Sequence, residues 1–139
     1  MPDRPRFHYA FPVNDLEATR AFYCDILGCR QGRSAEHWID FDFFGHQIVA
    51  HLTKSADPKQ ANLVDNRKVP VPHFGVILEW SEWELIEQKL RTINVKFEIS
   101  PYIRFKGRKG EQATMFFRDP SGNAIEIKAF RDDEQVFEN

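Results

Sequence analysis

An α+β fold built from two paired β-α-β-β-β modules is what the order of patterns along this chain predicts. Three observations point to it. A strand with period-2 alternation opens each half, a helical apolar stripe follows each opening strand, and alternating segments close each half. The boundaries fall at about 5–53 for the first module, 54–71 for a linker, 72–131 for the second module and 132–139 for a C-terminal tail. Neither half alone offers its apolar face enough cover, so two must pair, within one chain or between two.

In the first half, Phe7, Tyr9, Phe11 and Val13 alternate with His8, Ala10 and Pro12. The aromatic face needs a helix over it, which leaves the His8 face looking the other way. Asn14 reads as a helix N-cap with Glu17 at the third helical position. Leu16, Thr19, Phe22, Tyr23, Ile26 and Leu27 follow at helical spacing, and Gly28 ends the helix. Alternation returns over 37–44, Gly45-His46 turns the chain, and 47–52 comes back as a strand. His46 in that turn is expected to be exposed.

From 53 to 72 the periodicity disappears, so this stretch reads as the connection between halves, with room for a short helical piece. The second half opens with a strand over 73–78, its Phe74, Val76 and Leu78 opposite His73, Gly75 and Ile77. Ser81 and Glu84 make a second capping box, and Trp83, Ile86, Leu90 and Ile93 mark a helical stripe. A strand over 95–99, a loop over 101–110 and a hairpin of 113–118 with 124–130 complete the half. Asp119-Pro120-Ser121-Gly122 supplies the hairpin's turn chemistry.

Composition narrows the function classes. The 139 residues are 42% hydrophobic and include thirteen Phe, ample for a packed interior. A formal net charge of −2 leaves no electrostatic footprint for nucleic acid. No apolar run reaches membrane-spanning length and the opening MPDRPRF has no signal-peptide core, so a cytoplasmic protein without a membrane partner is expected. Cys24 and Cys29 are too few for a disulfide framework and are not spaced as a zinc pair, so they read as core or half-exposed thiols.

Four residues carry the chemistry. His8 and His73 sit in the opening strands, and His51 and Glu126 near the ends of the closing strands. Alternation lets all four project from the side away from the helices. A carboxylate flanked by Ile125 and Ile127 is costly to bury alone, and a cation shared with neutral imidazoles offsets that cost. Singly, each His is more often structural than a ligand; together the four point to a metal. His37 is a weak candidate for the pocket rim.

The segments FHYAFPVNDLEATRAFYCDILG, IVAHL, PHFGVIL and DPSGNAIEIK resemble the vicinal oxygen chelate superfamily, which includes glyoxalase I, extradiol dioxygenases and the bleomycin and fosfomycin resistance proteins. The resemblance covers most of the chain, and HWIDFDFFGHQIVAHL with EQATMFFRDPSGNAIEIKAF is most similar to the extradiol branch. It implies an open cup of paired modules, with helices outside, around a divalent metal. His8, His51, His73 and Glu126 each match a position where metal-binding members carry a ligand. It also implies a small-molecule substrate, and a pairing of modules within one chain or across a homodimer; a homodimer is expected here.

Extradiol dioxygenases use two histidines and one glutamate, matching His8, His73 and Glu126, an open facial set suited to Fe(II), with Zn, Ni or Mn as alternatives. Such an ion needs three free positions for a catecholate and dioxygen, so His51 is either a fourth ligand or a proton shuttle. Ring-cleaving members carry a tyrosine one strand before the glutamate. Here that region holds Phe116 and Phe117, and Tyr102 at the edge of the loop is the nearby substitute. Trp38 is read equally as pocket lining and as core. Glyoxalase-type lyases place a glutamate where His51 stands, which counts against that chemistry, while thiol transfer of the fosfomycin kind needs basic groups such as Arg104, Lys106 and Arg108. The expected function is thus an Fe(II) extradiol-type dioxygenase acting on a catecholic substrate. The alternatives are a metal-dependent lyase or isomerase, or a metal-free small-molecule binder. The loop over 104–110 can serve as a lid in each.

Overall fold

A computed structural model of the chain describes residues 4–54 and 60–138, with backbone alone at 60–63. Residues 1–3 of the opening segment, 55–59 of the linker and the last residue of the tail lie outside it. Two compact units emerge, one of residues 1–58 with 119–123, the other of 59–118 with 124–139. Each has the β-α-β-β-β order read from the sequence.

In the first unit, β1 (His8–Val13) leads through a short helix α1 (Leu16–Arg20), continued as a π-helical turn over Ala21–Ile26, to β2 (Arg30–Ala35), β3 (Trp38–Phe43) and β4 (His46–Leu52). The sheet order is β1-β4-β3-β2, with β1 parallel to β4 and the other pairs antiparallel. Ile39, Phe41, Ile48, Ala50, Phe11 and Tyr23 form its buried core, all at 2% exposure or less. β2 has no apolar alternation and is mostly exposed, which suits an edge strand. The helix cap differs by one residue from expectation: Asp15 is the N-cap, its carboxylate accepting from the Ala18 N–H at 2.9 Å. His46 is the first residue of β4, half-buried, and its Nδ1 accepts from the Phe7 N–H. Cys29 is buried and Cys24 half-buried, both as thiols.

Tyr23 carries the deepest polar contact of this unit. Its ring is fully buried and its hydroxyl donates to Asp119 at 2.9 Å. The Asp119 carboxylate also accepts from the Ser121 and Asn123 N–H groups and from the Asn123 amide. The Asp-Pro-Ser-Gly turn is therefore an Asx-type turn whose carboxylate is fully used.

The second unit holds β7 (Phe74–Leu78), α2 (Trp80–Thr92), β8 (Phe97–Arg104), β9 (Gln112–Arg118) and β10 (Ala124–Phe130), in the order β7-β10-β9-β8. Ile125, Ile127, Ala129, Ala113, Met115 and Phe117 are fully buried. Trp83 of α2 seals this side by donating from its indole to the Ile127 carbonyl at 2.9 Å. The expected capping box is absent: α2 starts at Trp80 and its N-cap, Glu79, makes no side-chain cap. The expected loop over 101–110 is also shorter, because β8 runs through Tyr102 to Arg104, pairing with β9 across two register shifts.

The linker is the largest departure. In place of an unpatterned connection, β5 (Gln60–Val64) and β6 (Arg67–Val71) form a hairpin with a two-residue turn at Asp65-Asn66. Both turn residues have positive φ, 52° and 62°, the signature of a type I′ turn, which Asp and Asn tolerate better than other non-glycine residues. Val64 and Val69 pack on Ile99, Phe116 and Tyr102 of the second sheet. The hairpin escaped the sequence reading because Pro70, Asn62 and Lys68 break any alternation. Among the described residues no helix is long and apolar enough to cross a membrane.

Candidate metal centre

Register decides which side chains share a face. In the second sheet Glu126 pairs with Gly75 on one side and Phe116 on the other. His73 immediately precedes β7 and lies on the Gly75 side of that strand, so its ring stands beside Glu126. The His73 Nε2 is 3.1 Å from Glu126 Oε1, with side chains 28% and 14% exposed. Its Nδ1 lies 2.7 Å from the Pro70 carbonyl, and its ring meets Phe116 edge-on. A carbonyl can only accept, so Nδ1 carries the proton that donates to it. The other carboxylate oxygen, Glu126 Oε2, accepts from the Thr114 hydroxyl at 2.5 Å.

This arrangement fits a cation. A neutral imidazole with its proton on Nδ1 turns a lone pair towards a carboxylate lone pair, a repulsive contact unless a proton or metal ion lies between. Ligand bonds of about 2.1 Å at right angles would set the two ligand atoms about 3 Å apart. Without an ion, a proton does the same work: the Glu126 hydrogen bond, chiefly, raises the His73 pKa against the opposing effect of burial. Burial pushes the Glu126 carboxyl up, but hydrogen bonds from His73 and Thr114 and the charge of Lys128 outweigh it and leave the group below its usual value.

In the first sheet His8 pairs with Gln47, and the His8 Nδ1 lies 2.7 Å from the Gln47 side-chain oxygen. The Gln47 amide nitrogen donates to Asp40 at 3.2 Å, which turns the amide oxygen to the imidazole. His8 therefore also holds its proton on Nδ1 and presents Nε2, as metal-binding histidines do.

His51 stands elsewhere in the register. Two residues beyond His73, Gly75 pairs with Glu126; two residues beyond His8, Ala10 pairs with Val49. The counterpart of Glu126 is thus Val49, not His51. His51 pairs with Pro12 and Trp38, on the same face as His8 but four register positions further along, about 13 Å at strand spacing. Register therefore does not give His51 the place that Glu126 holds in the second sheet. Within either unit, no three described His, Cys, Asp or Glu side chains converge. Tyr102 lies in β8 rather than in a loop, on the Thr114 and Glu126 face, with its hydroxyl donating to Asp65 at 3.0 Å. Trp38 is half-buried beside His51, and His37 is exposed.

Sequence reading missed Thr114, Gln47, Asp40 and Gly75. Thr114 was recoverable: the hairpin centred on residue 121 makes it a diagonal neighbour of Glu126. Gly75 signals itself only in three dimensions, where a Cβ would run into the Glu126 backbone carbonyl.

The model of the Glyoxalase/Bleomycin resistance protein/Dioxygenase superfamily matches residues 7–127. A glyoxalase/bleomycin resistance protein/dioxygenase from Alicyclobacillus acidocaldarius is 30% identical, with 96% of each chain covered and a TM-score of 0.79. The fold is shared with a genomically encoded fosfomycin resistance protein from Listeria monocytogenes (19% identity, 96% and 98% covered, TM-score 0.72). It is shared as well with a lactoylglutathione lyase from Agrobacterium tumefaciens (19% identity, 92% and 94% covered, TM-score 0.63).

Proposed function

The chain belongs to the Glyoxalase/Bleomycin resistance protein/Dioxygenase superfamily, and on that footing we propose that it is a metal-dependent enzyme, an Fe(II) dioxygenase that cleaves a small catecholic substrate. His73, Glu126 and His8 are the proposed ligands, with His8 supplied by the same chain or by a second copy in a homodimer. The observation that carries the reading is the His73 Nε2–Glu126 Oε1 approach of 3.1 Å with His73 Nδ1 tied to the Pro70 carbonyl. Two imidazoles and one carboxylate are the set that leaves three open positions on Fe(II), which when bound polarises the catechol oxygens and activates dioxygen.

The protein's own groups prepare the site. Pro70 and Gln47 fix the tautomers of His73 and His8, so that on both rings Nε2 is the nitrogen left to ligate an ion. Thr114 holds one oxygen of Glu126 and leaves the other for the ion. Phe116 packs against His73 and provides an apolar wall suited to an aromatic ring. His51, exposed on the His8 face, is proposed as a proton carrier and not as a ligand.

A metal-dependent lyase or isomerase is the second reading. What favours it is Phe116 opposite Glu126, in the region where ring-cleaving relatives are expected to carry a tyrosine. The test is metal analysis of anaerobically purified wild type, Glu126→Ala and His51→Ala, with oxygen uptake on catechols. Wild type and His51→Ala are expected to retain iron and Glu126→Ala to lose it by more than about a hundredfold in affinity. A wild type that retains no divalent metal overturns the enzyme reading. Retention of Zn or Ni without oxygen uptake transfers it to the lyase.

A further inference from the structure

The face of the second sheet that holds His73 and Glu126 also carries a cluster of charge that the metal chemistry does not use. Register puts Tyr102 opposite Thr114 and Arg104 opposite Gln112. The β5–β6 turn delivers Asp65 onto this row. One carboxylate oxygen of Asp65 accepts from the Tyr102 hydroxyl at 3.0 Å and from Arg104 Nε at 2.7 Å. Arg67 lies over the Tyr102 ring, 3.8 Å from its centre, and donates to the Asp65 carbonyl at 3.2 Å.

Two guanidiniums and a phenol hydroxyl thus surround a single carboxylate, an excess of positive charge. The Arg104 and Asp65 side chains are 23% and 38% exposed, so a small solute reaches both. Asp65 sits at the tip of a turn, and a side-chain rotation alone withdraws its carboxylate while Val64 and Val69 keep the hairpin docked. β8 is two strands from β10, and Tyr102 and Arg104 lie two and four register positions along from Glu126, so a substrate reaching from this cluster to Glu126 spans about 12 Å from Tyr102 and about 16 Å from Arg104.

We propose that Tyr102, Arg104 and Arg67 form a binding site for a terminal oxyanion, carboxylate or phosphoryl, of the substrate, and that Asp65 is a built-in stand-in which that group displaces. Planar guanidinium donors and a hydroxyl suit such an oxyanion. The inference rests on the preceding reading only in taking His73 and Glu126 as the reacting end, and it narrows the substrate to one carrying an acidic group on that side. Tyr102 then acts in recognition rather than in proton transfer.

The test is titration of the metal-stripped full chain with inorganic phosphate and, separately, with acetate at constant ionic strength, followed by the ¹⁵N shifts of Tyr102 and of Arg104 Nε–H. Asp65→Asn keeps a residue that tolerates the positive φ, and Asp65→Gly is the second variant. Saturable binding is expected to be about tenfold tighter in both Asp65 variants than in wild type and to be lost in Arg104→Gln. The anion that binds tighter identifies the group as phosphoryl or carboxylate. Asp65 variants that bind no more tightly than wild type, or binding unaffected by Arg104→Gln, overturn the proposal. Anion binding needs no metal, so failure of metal retention counts against the enzyme reading alone.

Discussion

The two four-stranded sheets have the same strand order and the same parallel closing pair, yet they treat the equivalent position in opposite ways. In the first sheet Ala10 faces Val49; in the second Gly75 faces Glu126. Val49 is an ordinary buried aliphatic. At Glu126 the neighbouring backbone of β7 comes so close that only glycine fits, and the carboxylate it flanks is held by Thr114 and His73. Duplicated topology thus supplies two scaffolds. The second holds the Glu126 carboxylate beside His73, and the first orients the His8 imidazole through Gln47, itself held by Asp40.

That comparison can be broken at several points. Gly75→Ala is expected to cost about 3 kcal/mol of stability, read by denaturant unfolding, because a Cβ there must displace the β10 backbone. Ala10→Gly at the equivalent position should cost only about 0.5–1 kcal/mol. Equal losses at the two positions would remove the distinction drawn between the sheets. Next in size, Tyr23→Phe removes one of the donors to the buried Asp119 carboxylate and should lower the unfolding free energy by about 2 kcal/mol without changing metal retention. A loss of metal in that variant would tie the proposed metal binding to the packing around Tyr23. The smallest effect is expected from Thr114→Val, which frees Glu126 Oε2; metal affinity should fall about tenfold with little change in stability. Unchanged affinity would mean that burial between the isoleucines orients the carboxylate by itself.

Much of the fold was legible because it rests on local periodicity. The aromatic alternation around Phe11, the helical stripe through Phe22 and Tyr23, and the Asp-Pro-Ser-Gly turn each report their structure within a dozen residues. The β5–β6 hairpin was not legible, since its stability comes from Val64 and Val69 docking on Ile99 and Phe116, contacts made across the sequence. Both helix starts were misplaced by one or more residues, as expected where several capping residues compete in a row. Within the site, His73 and Glu126 were found as a pair because their alternation places them on one face. His51 lies four register positions from His8, a distance not legible in the sequence because chain position near a strand's end is a poor substitute for hydrogen-bond register, in which each further step moves a side chain by about 3.3 Å.

By itself the sequence determined the α+β class, the duplicated β-α-β-β-β order and the residue types from which a metal site could be built, since all of these follow from short-range pattern and composition. Only the tertiary structure decided which of those residues meet. Strand register brought Glu126 against Gly75 and His73 while leaving Val49 in the matching place of the first sheet. A turn thirty-nine residues away from Arg104 brought the Asp65 carboxylate onto it. Both outcomes depend on pairing between distant strands, and that pairing is set by the sum of many packed contacts rather than by any local signal.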